Sequence, residues 1–461
     1  MRALAIVAIA ACNGSPRDVP VDGAAETDAA LVIDAAPGAW TTSPACPDSP
    51  DAIYATQGMT AGARGSIATC ALGDLMTLAD VQAELAGSGA EGVSATAGVR
   101  VVKLAYRTIR SDGTPAISTA TVYVPAQPRS LPAPIVLVGR PTAGIADTCA
   151  PSRGARPEPN LALPFAAHGF LTITPDFAGL GNEGTHAYLD NHEAATELFD
   201  GADALRALLP GLVGDPVAAI GYSQGGGVVL STQALELALT GARTLKAVAA
   251  IAPQWPISTK SFSYEDVLRN PDRLTGLAGL APPTVTVLRH YGFFTNKMGT
   301  LGGDAFPDDE RSSIISSIES LCTVPLGGAL GGQQLRLREL VDQTFAAQVL
   351  ACIDGAPGCE GNGAAFHQWM TSDFVTADPQ GARVMIMQGL GDQVMPAAGE
   401  AACDVAKLRA EGVEPTVCTD TIATHDTVLE RRIEDVVAWI EAVVNDAPLP
   451  ACSSNLPACT R

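Results

Sequence analysis

The chain predicts an α/β architecture, a mostly parallel sheet flanked by helices and interrupted by a helical cap. Three observations carry this expectation. Beyond Asp51, short runs rich in β-branched residues alternate with helical patterns, the signature of strand-helix-strand units. The stretch GYSQGGG (221–227) places a glycine-flanked serine between an apolar run and a helical pattern, at a strand-to-helix turn. From about Gln254 to Thr371 the alternation gives way to helical and loop segments. So long a departure between two sheet strands reads as a cap insertion.

Taken in order, the candidate strands are VRVVKLAYRTI (99–109), ISTATVYVP (117–125), PIVLVGR (134–140), GFLTITPDF (169–177), PVAAIGY (216–222), KAVAAIAP (246–253), RVMIMQG (383–389) and VEPTVCTD (413–420). The first two form an antiparallel pair joined by RSDGTPA, with turn chemistry at Asp112 and Gly113. Helices are expected over 191–208, 224–239 and 428–445. In the last, Leu429, Ile433, Val436, Val437, Ile440 and Val444 keep one apolar stripe.

Composition narrows the function classes. Of 461 residues 47% are hydrophobic and 17% charged, a globular balance. Against 28 Lys and Arg stand 49 Asp and Glu, a formal net charge of -21. Such a surface repels phosphate backbones and anionic headgroups, so nucleic acid is excluded as a partner. Nothing in the sequence implies a protein partner.

The N-terminus carries Arg2, an apolar run Ala3–Ala11 and then Cys12. The run is too short to span a bilayer and reads as a signal peptide over 1–11. The tetrapeptide IAAC resembles the bacterial lipobox, in which the cysteine is lipidated and tethers the protein to a membrane; a plain signal cleaved near Ala11 is the other expectation. Residues 12–50, rich in Ala, Asp and Pro, read as a flexible tether, which leaves 51–461 as the folded domain with its cap at about 254–371. Of eleven cysteines ten remain once Cys12 is set aside, enough for five disulfides in an oxidising compartment. That agrees with export to a bacterial envelope or beyond. The spacings Cys352/Cys359, Cys403/Cys418 and Cys452/Cys459 look like local clips, although connectivity is not written in spacing.

Ser223 sits where a nucleophile needs to be. Glycines two before and two after it allow a tight turn that lifts the hydroxyl above the sheet edge, and the following helix points its N-H groups at developing negative charge. A serine hydroxyl needs a base, and the base needs a carboxylate to orient it. Downstream of Ser223 only His290, His367 and His425 are available, and His425 lies between a possible last strand and the C-terminal amphipathic helix. Asp392 stands three residues past the strand RVMIMQG, in a glycine-rich turn closed by Pro396. The candidate catalytic set is therefore Ser223, Asp392 and His425. For an oxyanion hole, Gln224 supplies one backbone N-H. The second belongs to the loop after PIVLVGR, where Pro141 has none to give and Thr142 or Ala143 must donate. Acyl transfer by this set requires no cofactor and no metal.

Two other motifs compete. GLGNEG (179–184) matches a dinucleotide fingerprint, but no helix opens on it, so it reads as a surface loop near the mouth of the site. HEAAT (192–196) begins like a zinc-protease helix, yet Thr196 stands where the second histidine belongs.

The stretches PTAGIADTCAPS (141–152), HGFLTITPDFAGLGNEGTHAYL (168–189), IGYSQGG (220–226), GLGDQVMP (389–396) and THDT around His425 together resemble the secreted lipases of the α/β-hydrolase superfamily that are similar to Candida antarctica lipase A. The resemblance covers roughly 100–440. It implies a lipase acting on acylglycerol or other lipid esters, with Ser223, Asp392 and His425 as its triad and a helical cap that shapes an acyl pocket. It also implies a bridge from Cys149 into the cap, to Cys322. A short-chain carboxylesterase, or a non-catalytic surface lipoprotein using the same fold to bind, are the alternatives. Where relatives carry His-Gly before the oxyanion-loop threonine, this chain has Arg140-Pro141.

Overall fold

The computed structural model describes residues 39–156, 158–256, 262–275, 281–332 and 335–459. The expected signal peptide, Cys12 and the tether as far as Gly38 lie outside them. One sheet of nine strands organises the domain: β1 (Ile67–Met76), β2 (Val99–Ile109), β3 (Pro115–Pro125), β4 (Ala133–Gly139), β5 (Leu171–Pro175), β6 (Val213–Tyr222), β7 (Ala247–Ile251), β8 (Arg383–Gly389) and β9 (Thr416–Asp420). Their spatial order is β1-β2-β3-β5-β4-β6-β7-β8-β9. The pairs β1/β2, β2/β3 and β3/β5 are antiparallel, and every neighbouring pair from β5 across to β9 is parallel.

Every expected strand is present, and β1 is an addition. It forms the antiparallel edge beside β2, with register shifts between Ile67 and Thr69 and between Leu72 and Leu75. The β2–β3 hairpin pairs without a break from Val99↔Pro125 to Ile109↔Pro115. At its turn Asp112 Oδ1 accepts from Thr114 N at 2.9 Å, and Gly113 takes φ 84°.

Helices bury both faces of the parallel strands, which explains why β5 (LTITP) and β7 (AVAAI) are buried at every position. On one face lie the helices Asn191–Leu208, Gln224–Thr240 and Ala402–Ala410, with Leu198, Leu205, Val229 and Val405 in the core. On the other lie Leu78–Gly87, Leu163–Ala167 and Val428–Val444. In the last, Leu429, Ile433, Val436, Val437 and Ile440 are buried as the stripe predicts, each contributing about 1.5–3 kcal/mol. The stripe ends on buried Val443, three residues beyond Ile440, while Val444 is only partly covered.

Between β7 and β8 the chain forms the helices Phe262–Arg269, Ala281–Lys297, Arg311–Ser320, Thr323–Gly332, Gln343–Asp354 and Gly361–Ser372. They enclose a separate core that includes Phe293, Phe294, Phe345, Phe366, Leu326 and Val349. Asp373, just past the last of these helices, receives hydrogen bonds from Asn191 N and His192 N, both at 3.0 Å, and so closes the open end of the helix Asn191–Leu208.

Five disulfides join Cys46–Cys70, Cys149–Cys322, Cys352–Cys359, Cys403–Cys459 and Cys418–Cys452. The Cys352/Cys359 clip and the Cys149–Cys322 bridge are as expected. The clips Cys403/Cys418 and Cys452/Cys459 are not. The C-terminal tail runs back over β9, with Thr419 N donating to Ser453 O at 2.8 Å, and this brings Cys452 to Cys418 and Cys459 to Cys403. The tail also covers the edge strand that β9 would otherwise expose. The last part of the expected tether is likewise fastened to the domain, through Cys46 and through Trp40 Nε1, which donates to Pro125 O at 2.8 Å.

Candidate active site

The site begins at the turn from β6 into the helix Gln224–Thr240. Ser223 takes φ 54° and ψ -116°, a conformation that L residues other than glycine avoid. Its backbone is pinned from both sides: Ser223 N donates to Ile251 O at 3.0 Å, and Gln254 N donates to Ser223 O at 2.9 Å. Glycine is required around it for closeness. A Cβ on Gly221 would lie 2.0 Å from Gly225 O, and one on Gly225 would lie 1.9 Å from Gly139 O. A serine at a helix start ordinarily caps the helix with its hydroxyl. Here there is no such cap, and Oγ turns instead to the His425 ring, 2.9 Å from Nε2.

His425 comes from the loop between β9 and the helix Val428–Val444. That loop is shaped by Asp420, whose Oδ1 accepts from Ile422 N and Ala423 N at 3.0 Å each, while Arg431 and Arg432 hold Oδ2. Tyr222 OH donates to His425 O at 2.9 Å and fixes the residue from below. The opposite ring nitrogen, Nδ1, lies 2.8 Å from Asp392 Oδ2. Asp392 is itself anchored: Oδ1 accepts from Val394 N and Met395 N at 2.8 Å, and Gln388 Nε2 donates to Oδ2 at 3.2 Å. The acid turn and the histidine loop share backbone bonds, with Gly391 N donating to Ala423 O at 2.9 Å. The structure thus brings together Ser223, His425 and Asp392 from positions far apart in the chain. Gln388, Asp420 and Tyr222 are supports that sequence reasoning missed, because a polar residue at a strand end gives no sign of which loop it serves.

Among the described residues, no hydrogen bond uses the backbone N-H of Gln224, Thr142 or Ala143. The loop bearing the last two is tied to the helices between β7 and β8: Thr323 N donates to Ala143 O at 3.0 Å and Thr323 Oγ1 to Thr142 O at 3.1 Å, beside the Cys149–Cys322 bridge. Arg140, just before that loop, is fully buried. It donates from Nε to Asp176 O at 3.0 Å and from Nη1 to Pro141 O at 2.9 Å, with its guanidinium 4.9 Å from the Phe177 ring. Arg140 is therefore a strut that braces this loop against the end of β5.

The Gln224 side chain is held by His186, whose Nε2 lies 3.1 Å from Gln224 Nε2. An amide nitrogen only donates, so this imidazole nitrogen accepts and carries no proton. Burial, followed by the nearby Arg140, pushes His186 well below the usual histidine range, in agreement with a neutral ring. GLGNEG (179–184), expected as a surface loop, is buried from Gly179 to Asn182, and only Glu183 and Gly184 are exposed. Asn182 Oδ1 accepts from Gly179 N and Asp147 Oδ1 accepts from Gly181 N, so these amides serve the loop itself. In the HEAAT stretch, His192 Nδ1 lies 3.1 Å from Asp373 Oδ1 and Thr196 Oγ1 donates to His192 O.

The sheet order, the parallel strands and the strand-serine-helix turn define the α/β-hydrolase fold. Candida antarctica lipase A in its closed state is similar to the chain, with a TM-score of 0.63 at 16% identity over 86% of this chain and 86% of that one. So is a ligand-bound form of the rice cell wall degrading esterase LipA from Xanthomonas oryzae, with a TM-score of 0.60 at 19% identity over 83% of this chain and 97% of that one. No protein-family model and no curated protein matches the sequence.

Proposed function

We propose that the protein is an exported serine ester hydrolase that cleaves acylglycerol or other lipid esters through an acyl-enzyme. The observation that carries the proposal is the run of contacts from Ser223 Oγ through both nitrogens of His425 to Asp392. In this mechanism His425 takes the Ser223 proton as Oγ attacks the ester carbonyl, and Asp392 holds the ring and stabilises its positive charge. The N-H of Gln224, with that of Thr142 or Ala143, holds the oxyanion. His425 then returns the proton to the leaving alcohol, and water attacks the acyl-enzyme by the same route.

The two similar structures, a lipase and an esterase, support ester chemistry in the same fold. Five disulfides support an oxidising compartment, and with it export. The signal peptide over 1–11 and a membrane tether at Cys12 are part of the same proposal. A short-chain carboxylesterase is the second reading. It is supported by the second of the two similar structures, an esterase. The test is hydrolysis of p-nitrophenyl esters of graded acyl length by the wild type and Ser223→Ala. The substitution is expected to lower kcat by about 10⁵-fold. A preference for long chains selects lipase, and activity that survives the substitution contradicts the proposal.

A further inference from the structure

Arg289, on the helix Ala281–Lys297, is 6% exposed and lines a small cavity together with Tyr264, Gln254, Val394 and Met395. Among the described residues its guanidinium has no hydrogen bond and no ion pair, and its Nε is buried without an acceptor. The rings of Tyr264, Phe366 and Trp369 stand 5.6, 5.9 and 5.9 Å from its central carbon, at the outer limit of cation-π attraction. Asp373 acts on the guanidinium only through its charge and makes no direct ion pair with it; its Oδ1 accepts from His192 N and its Oδ2 from Asn191 N and Asn191 Nδ2. Burying a guanidinium without a hydrogen-bonded partner is costly, and an anion that bonds it directly would offset that cost.

Residues that line the cavity are bonded to the candidate site, although Ser223, His425 and Asp392 do not line it themselves. Gln254 N is bonded to Ser223 O, and Val394 N and Met395 N are bonded to Asp392. Its volume of about 20 Å³ is room for one small polar group. The larger cavity of about 650 Å³ near the β2–β3 turn differs in this respect. Its charges are already matched, Arg110 with Glu193, Lys297 with Asp190 and His192 with Asp373.

We propose that Arg289 receives a carboxylate carried by the ester substrate, so that the protein acts on esters of dicarboxylic or otherwise carboxylate-bearing acids. The planar guanidinium fork matches a carboxylate through two parallel hydrogen bonds, and a singly charged group is the anion that a strongly acidic protein repels least. The proposal rests on the ester-hydrolase reading.

The test uses the full chain with Arg289→Gln and Arg289→Lys, and two probes of matched length, neutral p-nitrophenyl valerate and mono-p-nitrophenyl glutarate. The wild type is expected to favour the glutarate ester by about tenfold or more in kcat/KM. Arg289→Gln should lower kcat/KM for that ester by about 100-fold, chiefly through KM, and leave the neutral ester within about threefold. Arg289→Lys should recover part of the loss. Calorimetry of free glutarate with Ser223→Ala, with and without Arg289→Gln, reads the anion site without catalysis. A parallel fall for both esters, or no wild-type preference, overturns the proposal by making Arg289 structural. Hydrolysis of the neutral ester without glutarate binding overturns the proposal and leaves the esterase standing. Glutarate binding through Arg289 without hydrolysis of either ester keeps the anion site and removes the esterase.

Discussion

At the scale of single residues, the candidate site denies side chains their usual partners. Ser223 gives up the capping bond of an N-terminal serine because its φ of 54° aims Oγ at His425. Asp392 gives up water for two backbone N-H groups, the Gln388 amide and the His425 ring. Asp392→Asn should therefore preserve the fold while lowering kcat for ester hydrolysis by about 10³- to 10⁴-fold, because the amide no longer stabilises a charged imidazole. A second buried acid reports on stability. Burial, then the neighbouring Glu193, pushes the Glu197 carboxyl well above the usual carboxylate range, while Ala178 N donates to its Oε2. A raised folded-state pKa means that the native protein holds a proton the unfolded chain has already lost. Stability from this group is full below the unfolded pKa and is lost as pH rises through the folded one. Glu197→Gln, which mimics the protonated form, should match the wild type near about pH 4 and exceed it near about pH 9, by on the order of a few kcal/mol in denaturant melts.

At the scale of elements, three loops at one end of the parallel strands are fixed by different means. The serine turn is set by close glycine contacts between β4, β6 and the helix Gln224–Thr240. The histidine loop is set by Asp420 with Arg431 and Arg432. The loop with Thr142 and Ala143 is set from outside the sheet, by Thr323 and the Cys149–Cys322 bridge, whose partners are 173 residues apart. Replacing both cysteines with serine should cost about 2–5 kcal/mol in global stability. It should also speed amide hydrogen exchange at Thr323 before the core strands respond, and equal protection in the two proteins would contradict this coupling.

At the scale of the whole molecule, what could be read from the sequence divides along physical lines. The parallel strands were legible in their alternation with helical patterns, and the meeting of Ser223, Asp392 and His425 because each stands just past a strand in a turn or loop. Strand β1 was not, because its register shifts and the exposed Asp74 and Leu75 break the alternation that marks a strand. The pairs Cys403–Cys459 and Cys418–Cys452 were not, because they depend on a tail that folds back over β9. The buried Arg289 guanidinium, without a direct hydrogen-bond partner among the described residues, was hidden as well, since only the assembled core shows that Asp373 bonds Asn191 and His192.

The central claim is that Ser223 is the atom that attacks. Treatment with a fluorophosphonate, which modifies a serine only when a neighbouring base activates it, followed by peptide mass spectrometry, tests this most directly. One adduct per chain is expected on the peptide bearing Ser223, forming about 10³-fold more slowly in His425→Ala. An unmodified Ser223, or an adduct that forms as fast without the imidazole, would contradict the account.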